Sequence, residues 1–249
     1  MEILVGFLIA LLIGMTGVGA GTITAPLLIT FWNKDPSVAV GTALAFSTII
    51  KVVSGINYLR QGSVDKNYFI LMSSGGIPGV IVGSILVDLM SKDFKSMVLI
   101  IVGSIIIISS LINIFTSFFS YKKLIDKYRK GVPYLILPLT FIIGVEVGFT
   151  SAGAGALGTA ILMLFSKLDI SKVVGTDICF GLALSSVGFL IHSKLGHIDW
   201  NMLYLLLIGG VVGAFIGSSI NVKYSQNKLR VILSIWLIII ASNLIYKSI

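Results

Sequence analysis

The sequence predicts an all-α, polytopic membrane protein with about eight transmembrane segments. Three observations predict this fold class: 56% of the residues are hydrophobic while 11% are charged, the apolar residues lie in long uncharged runs, and the second half of the chain repeats the first. Residues 3–32 and 97–121 contain no charged residue. Runs of this length can cross the hydrocarbon core of a bilayer. Neither soluble domains, in which about a quarter of the residues are charged, nor disordered chains have this composition.

Eight apolar segments, named A to H, follow one another along the chain. The connection at 121–132 is the longest, with 12 residues, so no soluble domain is predicted. Segments A and E are longer than the roughly 20 residues of one span, and too short for two spans and a turn. The segments are A, 3–32; B, 36–58; C, 68–88; D, 96–120; E, 133–166; F, 170–192; G, 201–221; and H, 229–246.

Segments A–C recur as E–G when the chain is shifted by 134 positions. From Phe7 to Ser91, 26 of 85 positions are identical without a gap. Four blocks keep this register, among them GMTGVGAGTITAPLL (14–28) with GFTSAGAGALGTAIL (148–162) and VGT (40–42) with VGT (174–176). A shared register through four blocks indicates an internal duplication. We therefore predict a first four-segment repeat at 1–120, a basic cytoplasmic connection at 121–132 and a second four-segment repeat at 133–249.

The basic residues of the loops distinguish two topologies. If A and E each crossed the membrane once, Lys and Arg would divide 8 against 9 between the two sides. If A and E are helical hairpins that return to their starting side, the division is 12 against 5, which follows the positive-inside rule. The hairpin topology predicts three single crossings in each repeat, and therefore inverted repeats. It places both termini outside and the loop 121–131 in the cytoplasm.

Two Gly-rich blocks lie at equivalent positions in the middle of A and E. Glycine allows a helix to break, and a broken helix inside a membrane is tolerated where it is buried in protein or lines a cavity. The N-terminus of a half-helix presents unpaired N–H groups and partial positive charge, which favour an anion. Close helix packing through small residues is the alternative explanation. The predicted substrate-binding positions are Thr16, Gly17, Gly19, Ala20, Gly21, Thr42, Thr150, Ser151, Gly153, Ala154, Gly155 and Thr176.

These motifs resemble those of the sulfite exporter TauE/SafE family, also called the 4-toluene sulfonate uptake permease family. The resemblance extends over essentially the whole chain, through GVGAGTITAPLL (17–28) and VGT (40–42), then SAGAGALGT (151–159) and VGTD (174–177). It implies a multi-pass transporter of small anions in the plasma membrane, with sulfite, a sulfonate or another organosulfur oxyanion as substrate. It also implies that the Gly-rich turns and the following threonines form the site.

Two acidic residues lie inside predicted membrane segments: Glu146 just before the second Gly-rich block, and Asp177 in segment F. An intramembrane acid is costly and marks a functional site by default. Neither has an acidic repeat mate, because Glu146 aligns with Leu12 and Asp177 with Ala43. We predict that both acids serve proton coupling. The alternative is a buried acid held by nearby hydroxyl or backbone N–H groups.

Other polar residues receive structural interpretations. Lys51 is predicted to extend towards the membrane interface, with attraction of an anion as the alternative. His192 and His197 are five positions apart and would not share a helix face. With Cys179 as the single cysteine, no metal site and no internal disulfide are predicted. Four aspartates precede apolar segments and are predicted to cap helices: Asp35, Asp65, Asp169 and Asp199.

Taken together, these features predict a secondary transporter of a small anion, with its site between two inverted repeats. No nucleotide-binding fingerprint or nucleophile elbow occurs, so we expect no enzymatic activity, no cofactor and an ion gradient as energy source. The net charge of +8 lies in short loops and indicates a membrane rather than a nucleic-acid partner. The expected partners are a small anionic substrate and the lipid bilayer, and a homo-oligomer is left open. A passive anion channel is the alternative function.

Overall fold

The computed structural model describes residues 1–16, 20–118, 135–152, 155–219 and 226–248, and these form helices connected by turns and loops, without a strand. The predicted all-α fold is therefore confirmed. The helices are α1 (Glu2–Thr16), α2 (Ala20–Trp32), α3 (Pro36–Arg60), α4 (Lys66–Asp93), α5 (Lys95–Phe118), α6 (Ile136–Thr150), α7 (Ala156–Phe165), α8 (Ile170–Lys194), α9 (Trp200–Ser219) and α10 (Gln226–Ser248).

The lengths of these helices fit a multi-pass membrane protein. Among the described residues, 4 helices are long and apolar enough to cross a membrane, namely Lys66–Ser91, Lys95–Ile112, Ser171–Lys194 and Trp200–Gly217. Shorter apolar helices accompany them. Helices α1 and α6 have 15 residues each, so each extends about 22 Å, which is less than the roughly 30 Å of a hydrocarbon core. Segments A and E are therefore each divided into two short helices, α1 with α2 and α6 with α7.

Helix boundaries recur at the offset of the sequence repeat. Helices α1 and α6 begin and end at equivalent positions, and so do α3 and α8. The most extensive contacts join α1 to α9, α6 to α4, α3 to α8 and α5 to α10. Each of these four contacts connects one half of the chain to the other, so the two halves share one core. The exact division at 1–120, 121–132 and 133–249 stays a prediction, because 119–134 lie outside the described residues.

Glycines spaced by four allow the short helices to lie close to the long ones. A Cβ atom at Gly79 of α4 would overlap the carbonyl of Phe141 on α6, and one at Gly213 of α9 would overlap the carbonyl of Phe7 on α1. Small residues at this spacing are typical of close helix pairs in membranes. The two equivalent glycine rows are Gly75, Gly79 and Gly83 on α4 and Gly209, Gly213 and Gly217 on α9.

Segment A returns to the end of the molecule at which it begins. The indole Nε1 of Trp32, at the end of α2, donates a 3.1 Å hydrogen bond to Glu2 Oε1 at the start of α1. Helix α1 also runs parallel to α9, since Ile3 faces Gly209 and Leu11 faces Gly217. The first residues of the chain therefore lie at the same end of the molecule as the loop before α9.

Contacts between loops separate the two faces of the molecule. Lys34 Nζ and Asp199 Oδ2 are 2.6 Å apart, which joins the loop after α2 to the loop before α9. On the opposite face, the hydroxyls of Ser63 and Ser171 are 3.0 Å apart. This grouping of loops is the one that the hairpin topology predicts, and it is incompatible with eight single crossings. Which face is cytoplasmic stays a prediction.

Two of the predicted helix caps form. Asp65 Oδ1 accepts a 3.0 Å hydrogen bond from the backbone N–H of Asn67 at the start of α4. Asp199 Oδ1 accepts one of 2.9 Å from Met202 at the start of α9. Asp169 differs, since it precedes α8 but its side chain makes no capping hydrogen bond. The sequence pattern therefore located the start of α8 correctly but assigned the wrong role to that carboxylate.

Candidate functional site at the broken helices

The end of α6 and the first turn of α2 are in direct contact. Ser151 Oγ, at the end of α6, donates a 2.9 Å hydrogen bond to the carbonyl of Gly21 in the first turn of α2. A Cβ atom at Gly21 would overlap the Ser151 carbonyl oxygen, so this approach requires glycine. Ser151 has a φ of 62°, in the left-handed region, and its N–H bonds the carbonyl of Val147 as α6 ends. The fold thus brings the described parts of the two Gly-rich blocks together, at Gly21 and Ser151.

The Gly-rich blocks are described only in part. Thr16 ends α1, Ala20 begins α2, and Gly155 occupies the N-cap position of α7. Their contributions to substrate binding stay predictions, as does that of Gly21. Four further predicted positions lie outside the described residues: Gly17, Gly19, Gly153 and Ala154.

Thr150 holds the end of α6 in shape. Its side chain is buried, and its hydroxyl donates a 2.9 Å hydrogen bond to the carbonyl of Glu146. The same oxygen accepts a 3.0 Å hydrogen bond from the backbone N–H of Ala152. Backbone groups at a helix end lack partners inside the helix, and this hydroxyl satisfies one beyond the end. The geometry gives Thr150 a role in shaping the break, beside its predicted role in substrate binding.

The two threonines of the VGT motifs bind loops of the opposite half. Thr176 Oγ1 on α8 accepts a 2.9 Å hydrogen bond from the backbone N–H of Asp65. Thr42 Oγ1 on α3 accepts an equivalent one of 3.0 Å from Asp199. Both threonines are fully buried. Each hydroxyl therefore connects a central helix to the loop that precedes α4 or α9.

The glycine of each VGT motif makes this contact sterically feasible. A Cβ atom at Gly41 would overlap the carbonyl oxygen of His197, and one at Gly175 would overlap that of Ser63. The VGT motif is thus a helix-to-loop clamp, in which glycine permits the approach and threonine accepts the next loop N–H. The clamp accounts for the motif structurally, and contact between these hydroxyls and substrate stays a prediction.

Asp177 lies against the first turn of α7, at the end of the second break. Its side chain is 4% exposed, and Thr159 Oγ1 donates a 2.8 Å hydrogen bond to Asp177 Oδ2. A Cβ atom at Gly158 would overlap Asp177 Oδ1. A carboxylate in this position is stabilised by the partial positive charge of a helix N-terminus. The equivalent position in the first half, beside α2, is Ala43.

Lys51 on α3 interacts electrostatically with Asp177 across the central pair of helices. The sequence pattern does not indicate this pairing, because the two residues are far apart in the chain and neither has a charged repeat mate. Lys51 aligns with Ser185 in the other half. Helices α3 and α8 are equivalent in the repeat, but the reverse pair would join Ala43 and Ser185, which carry no charge. The Lys51–Asp177 pair therefore occurs once.

Glu146 faces a groove lined by α4, α5, α6 and α7 rather than the contact between Ser151 and Gly21. Ser109 on α5 donates a hydrogen bond to Glu146 Oε1. Both side chains line a cavity of about 590 Å³, whose other walls are apolar residues of α4, α5, α6 and α7. The equivalent groove of the first half, about 500 Å³, has Leu12 at the position of Glu146. The two acids predicted to act together thus lie in different environments.

A buried chain of three titratable side chains was missed by sequence reasoning. His197 Nε2 lies 3.0 Å from Asp88 Oδ1 on α4, and His197 Nδ1 lies 3.3 Å from His192 Nδ1 on α8. His192 is 0% exposed and Asp88 8% exposed. Asp88 lies at the end of segment C, and acids at the ends of segments are usually interfacial. We call this group the Asp88–His197–His192 chain.

The two histidines meet because the peptide chain reverses between them. Gly196 has a φ of 75°; its N–H bonds the carbonyl of Ser193, and the N–H of His197 bonds the carbonyl of His192 at 2.9 Å. This pair of bonds is the Schellman arrangement that ends many helices. His197 therefore folds back onto the last turn of α8, whereas the sequence analysis treated five positions as too far around a continuous helix. The Gly196 that follows the helix was the available signal.

Ion pairs join the loops on the same face of the molecule. Besides the Lys34–Asp199 pair, Lys95 Nζ lies 2.5 Å from Asp35 Oδ1. Partial burial opposes ionisation of Asp199, but the hydrogen bonds from Lys34 and from the Met202 N–H outweigh it, and the pKa of Asp199 lies below its ordinary value. Within the described residues no group of three or more His, Cys, Asp or Glu could hold a metal ion.

Comparison with known proteins decides the family. The family model described as "Sulfite exporter TauE/SafE" matches residues 2–244. The chain belongs to the TauE/SafE family. Among curated proteins of Bacillus subtilis (strain 168), this TauE/SafE protein is 27% identical to the probable membrane transporter protein YjnA, over 93% of the chain and 94% of the relative. It is 25% identical to the probable membrane transporter protein YunE, over 94% and 93%, and 28% identical to YtnM, over 95% and 79%. No solved structure matches it.

These relatives and the fold identify the TauE/SafE protein as a multi-pass membrane transporter. The names of the family and its relatives indicate transport rather than enzymatic activity. The resemblance stated from the Gly-rich blocks and the VGT motifs is therefore confirmed.

Proposed function

We propose that this TauE/SafE protein is a secondary transporter of a small oxyanion of the sulfite or sulfonate class, and that the anion binds where the two helix breaks meet. The observation that carries the proposal is the contact between Ser151 and Gly21. It places the end of α6 beside the first turn of α2. The first turns of α2 and α7 present backbone N–H groups that favour negative charge.

Asp177 supplies a physical link between the anion and a proton. An ionised carboxylate at the first turn of α7 would repel an anion that used the same N–H groups. Protonation of Asp177 removes this repulsion while keeping the hydrogen bond from Thr159 in reach. An anion and a proton would therefore bind together more readily than either alone. Lys51, which interacts with Asp177, would compensate the carboxylate once the proton has left.

The experiment is transport by purified protein in proteoliposomes, with radiolabelled sulfite and a short alkyl sulfonate as probes. We expect a pH gradient to drive accumulation of one of these anions in the wild type. Asp177→Asn keeps the size and hydrogen bonding of the side chain but cannot titrate, so gradient-driven accumulation should fall by at least ~10-fold while counterflow of preloaded anion persists. Asp169→Asn is the matched control, since Asp169 is exposed at the start of the same helix and makes no capping bond.

Two results would overturn the proposal. If no oxyanion of either class is transported, or bound in a thermal-shift assay, the assignment of the breaks to an anion is wrong. If anions cross without counterflow and without dependence on the pH gradient, the protein is the passive channel that the sequence left as the alternative. Wild-type pH dependence in Asp177→Asn would remove Asp177 from the coupling role.

Glu146 is proposed as a second proton-binding acid. It precedes the second break by one helical turn and receives a hydrogen bond from Ser109. Glu146→Gln preserves an acceptor for this hydroxyl and removes titration, so we expect a smaller reduction of gradient-driven transport than for Asp177→Asn. Ser109→Ala is the companion variant. An unchanged pH profile in Glu146→Gln would assign the residue to packing of the α5–α6 groove.

We also propose the plasma membrane as the location, with both termini outside and residues 121–131 in the cytoplasm. The support is the 12-to-5 division of basic loop residues. A single cysteine introduced as Ser248→Cys on a Cys179→Ser background should react with membrane-impermeant maleimide in intact cells. Labelling that appears only after the cells are opened would reverse the orientation and leave the relative arrangement of helices intact.

A further inference from the structure

We propose that the Asp88–His197–His192 chain conducts protons between the loop face of the molecule and the second helix break. The inference rests on the proposed proton-coupled transport and gives it a pathway. The chain joins three separate elements: α4, which carries Asp88; the loop of residues 195–199, which carries His197; and α8, which carries His192. A proton path requires such a continuous series of groups that can both donate and accept.

The distances permit proton transfer at both contacts. His197 Nε2 to Asp88 Oδ1 is 3.0 Å, and His197 Nδ1 to His192 Nδ1 is 3.3 Å. A neutral imidazole has one donor and one acceptor nitrogen. The tautomers that satisfy both contacts protonate His197 at Nε2, towards Asp88, and His192 at Nδ1, towards His197. His192 Nε2 is then the acceptor at the inner end of the chain.

Transfer along this arrangement conserves protons. When a proton binds His192 Nε2, the ring becomes neutral again by passing its Nδ1 proton to His197 Nδ1. The Nε2 proton of His197 then passes to the Asp88 carboxylate, from which water at the loop face removes it. Each N–H bond that breaks is replaced by one that forms, and return of both rings to their first tautomers resets the chain. The same steps in reverse carry a proton inwards.

The inner end of the chain lies beside the break. Helix α8, which carries the buried His192, packs against α6, whose last turn contains Gly148, three residues before Ser151. Helix α8 carries both His192 and Asp177, which are 15 residues or about 22 Å apart along the helix. Gly158, in the first turn of α7 after this break, lies against Asp177. The first turn of α7 is therefore next to the second titratable centre of α8.

The surroundings of the chain contain few other charges. Helix α3 contributes Gly41, which lies against the His192 side chain and the His197 backbone. The loops contribute the Lys34–Asp199 pair, in which the two charges compensate each other. Lys194, on α8, is exposed. Among the side chains that the structure describes, Asp88 is thus the acid in contact with the histidines, while the side chains of residues 92–93 lie outside that description.

The equivalent turn in the first half forms without histidines. Helix α3 ends in the same Schellman arrangement as α8, with the N–H of Ser63 bonding the carbonyl of Tyr58 at 3.0 Å. The positions of His192 and His197 are thus occupied by Tyr58 and Ser63 in the first half. The fold needs no imidazole at these positions, since an equivalent turn forms without one.

The test uses substitutions that the repeat itself supplies. His192→Tyr and His197→Ser install the residues of the equivalent turn, and Asp88→Asn removes the acid. The matched control is Tyr58→Phe, at the position of the first half that is equivalent to His192. Proteoliposomes with an internal pH dye are loaded with the transported anion, and proton flux, gradient-driven accumulation and anion counterflow are measured in parallel. We expect each chain variant to lose at least ~10-fold in proton flux and accumulation, with counterflow and the control close to wild type.

The outcomes separate the two proposals. Wild-type proton flux in all three chain variants would overturn the pathway and leave the proposed anion transport intact. Anion transport without any proton flux in the wild type would overturn both. Folding of each variant is judged by its thermal unfolding in detergent. If His192→Tyr does not fold, His192→Gln is used in its place, and imidazole rescue of His197→Ser gives an independent measurement. Because His197 is partly exposed, imidazole added to His197→Ser should restore proton flux, an effect that a purely structural role of the ring does not produce.

Discussion

The two halves of this transporter share their backbone architecture and differ in their titratable groups. In the first half, residues 36–65 form α3, its terminal turn and the loop before α4; in the second, residues 170–199 form α8 and the equivalent loop. Both carry the VGT clamp, and both end in a Schellman turn. Only the second carries Asp177, His192 and His197. A duplicated scaffold therefore positions a set of groups that was not duplicated.

This difference indicates how a fold built from two equivalent repeats could provide a single route for a proton. Inverted repeats supply two equivalent arrangements that can exchange during transport. A proton needs a single route, and groups that titrate in both halves would bind two protons at unrelated positions. Under the proposed proton coupling, Asp177, His192 and His197 of the second half would give the anion one pathway, with Asp88 of the first half at its outer end. The following predictions test whether the halves are equivalent in structure and distinct in chemistry.

The largest effect is expected from moving the carboxylate to the other half. In the double variant Ala43→Asp with Asp177→Ala, the new acid faces α2, whose residue at the position of Thr159 is Ala25. The acid therefore lacks its hydroxyl partner. Gradient-driven transport should fall by roughly 100-fold, the lower range for loss of a positioned proton-transfer group. Recovery above a tenth of the wild-type initial rate would mean that the two halves are chemically interchangeable.

Alanine at the clamp glycines should destabilise both halves alike. Gly41→Ala and Gly175→Ala each place a Cβ atom on a loop carbonyl oxygen. Overpacking of this kind costs about 1–3 kcal/mol, to be measured by thermal or denaturant unfolding in detergent. Gly55→Ala is the control on α3, because its Cβ atom would make an ordinary 3.5 Å contact with Leu182 Cδ2. A large loss at one clamp and none at the other would contradict the equivalence of the scaffolds.

Removal of the clamp hydroxyls should have a smaller, equally matched effect. Thr42→Val and Thr176→Val leave the N–H of Asp199 or Asp65 without its acceptor. An unsatisfied buried donor costs about 1–3 kcal/mol, and access of water at the loop should place these variants at the low end. Unfolding measurements would check this. If either variant loses substrate binding while its stability is unchanged, that hydroxyl contacts substrate, as the sequence predicted.

The smallest effect is expected from the Lys34–Asp199 ion pair. Because the folded-state pKa of Asp199 is lowered, its contribution to stability is fully present above the ordinary Asp pKa of about 3.9. It is lost as the pH falls through the lowered folded value. Lys34→Ala should reduce stability by less than about 1 kcal/mol at neutral pH. The difference from wild type, followed by unfolding from pH 7 to pH 3, should shrink at the acid end. A constant difference would mean that Asp199 is not the responsible acid.

The sequence alone determined the class of protein, the duplication and the relative topology. Uncharged runs and the basic residues of the loops reflect the solvent, which is a bilayer whose core excludes charge. The shared register of the two halves reflects the duplication. Each of these properties depends on residues that are contiguous in the sequence, so it can be predicted without the tertiary structure. The over-long segments A and E indicated hairpins for the same reason, because a hydrocarbon core has a nearly constant thickness.

Only the tertiary structure decided which side chains meet. Asp88 and His197 are more than a hundred positions apart, and Asp177 of α8 contacts Thr159 of α7 and interacts with Lys51 of α3. No periodicity along one segment encodes such contacts, since they depend on how α3, α4 and α7 pack around α8. The VGT motifs illustrate the same limit. Their sequence predicted a binding role, whereas packing revealed that a glycine without a Cβ atom lets each threonine reach the backbone of a distant loop.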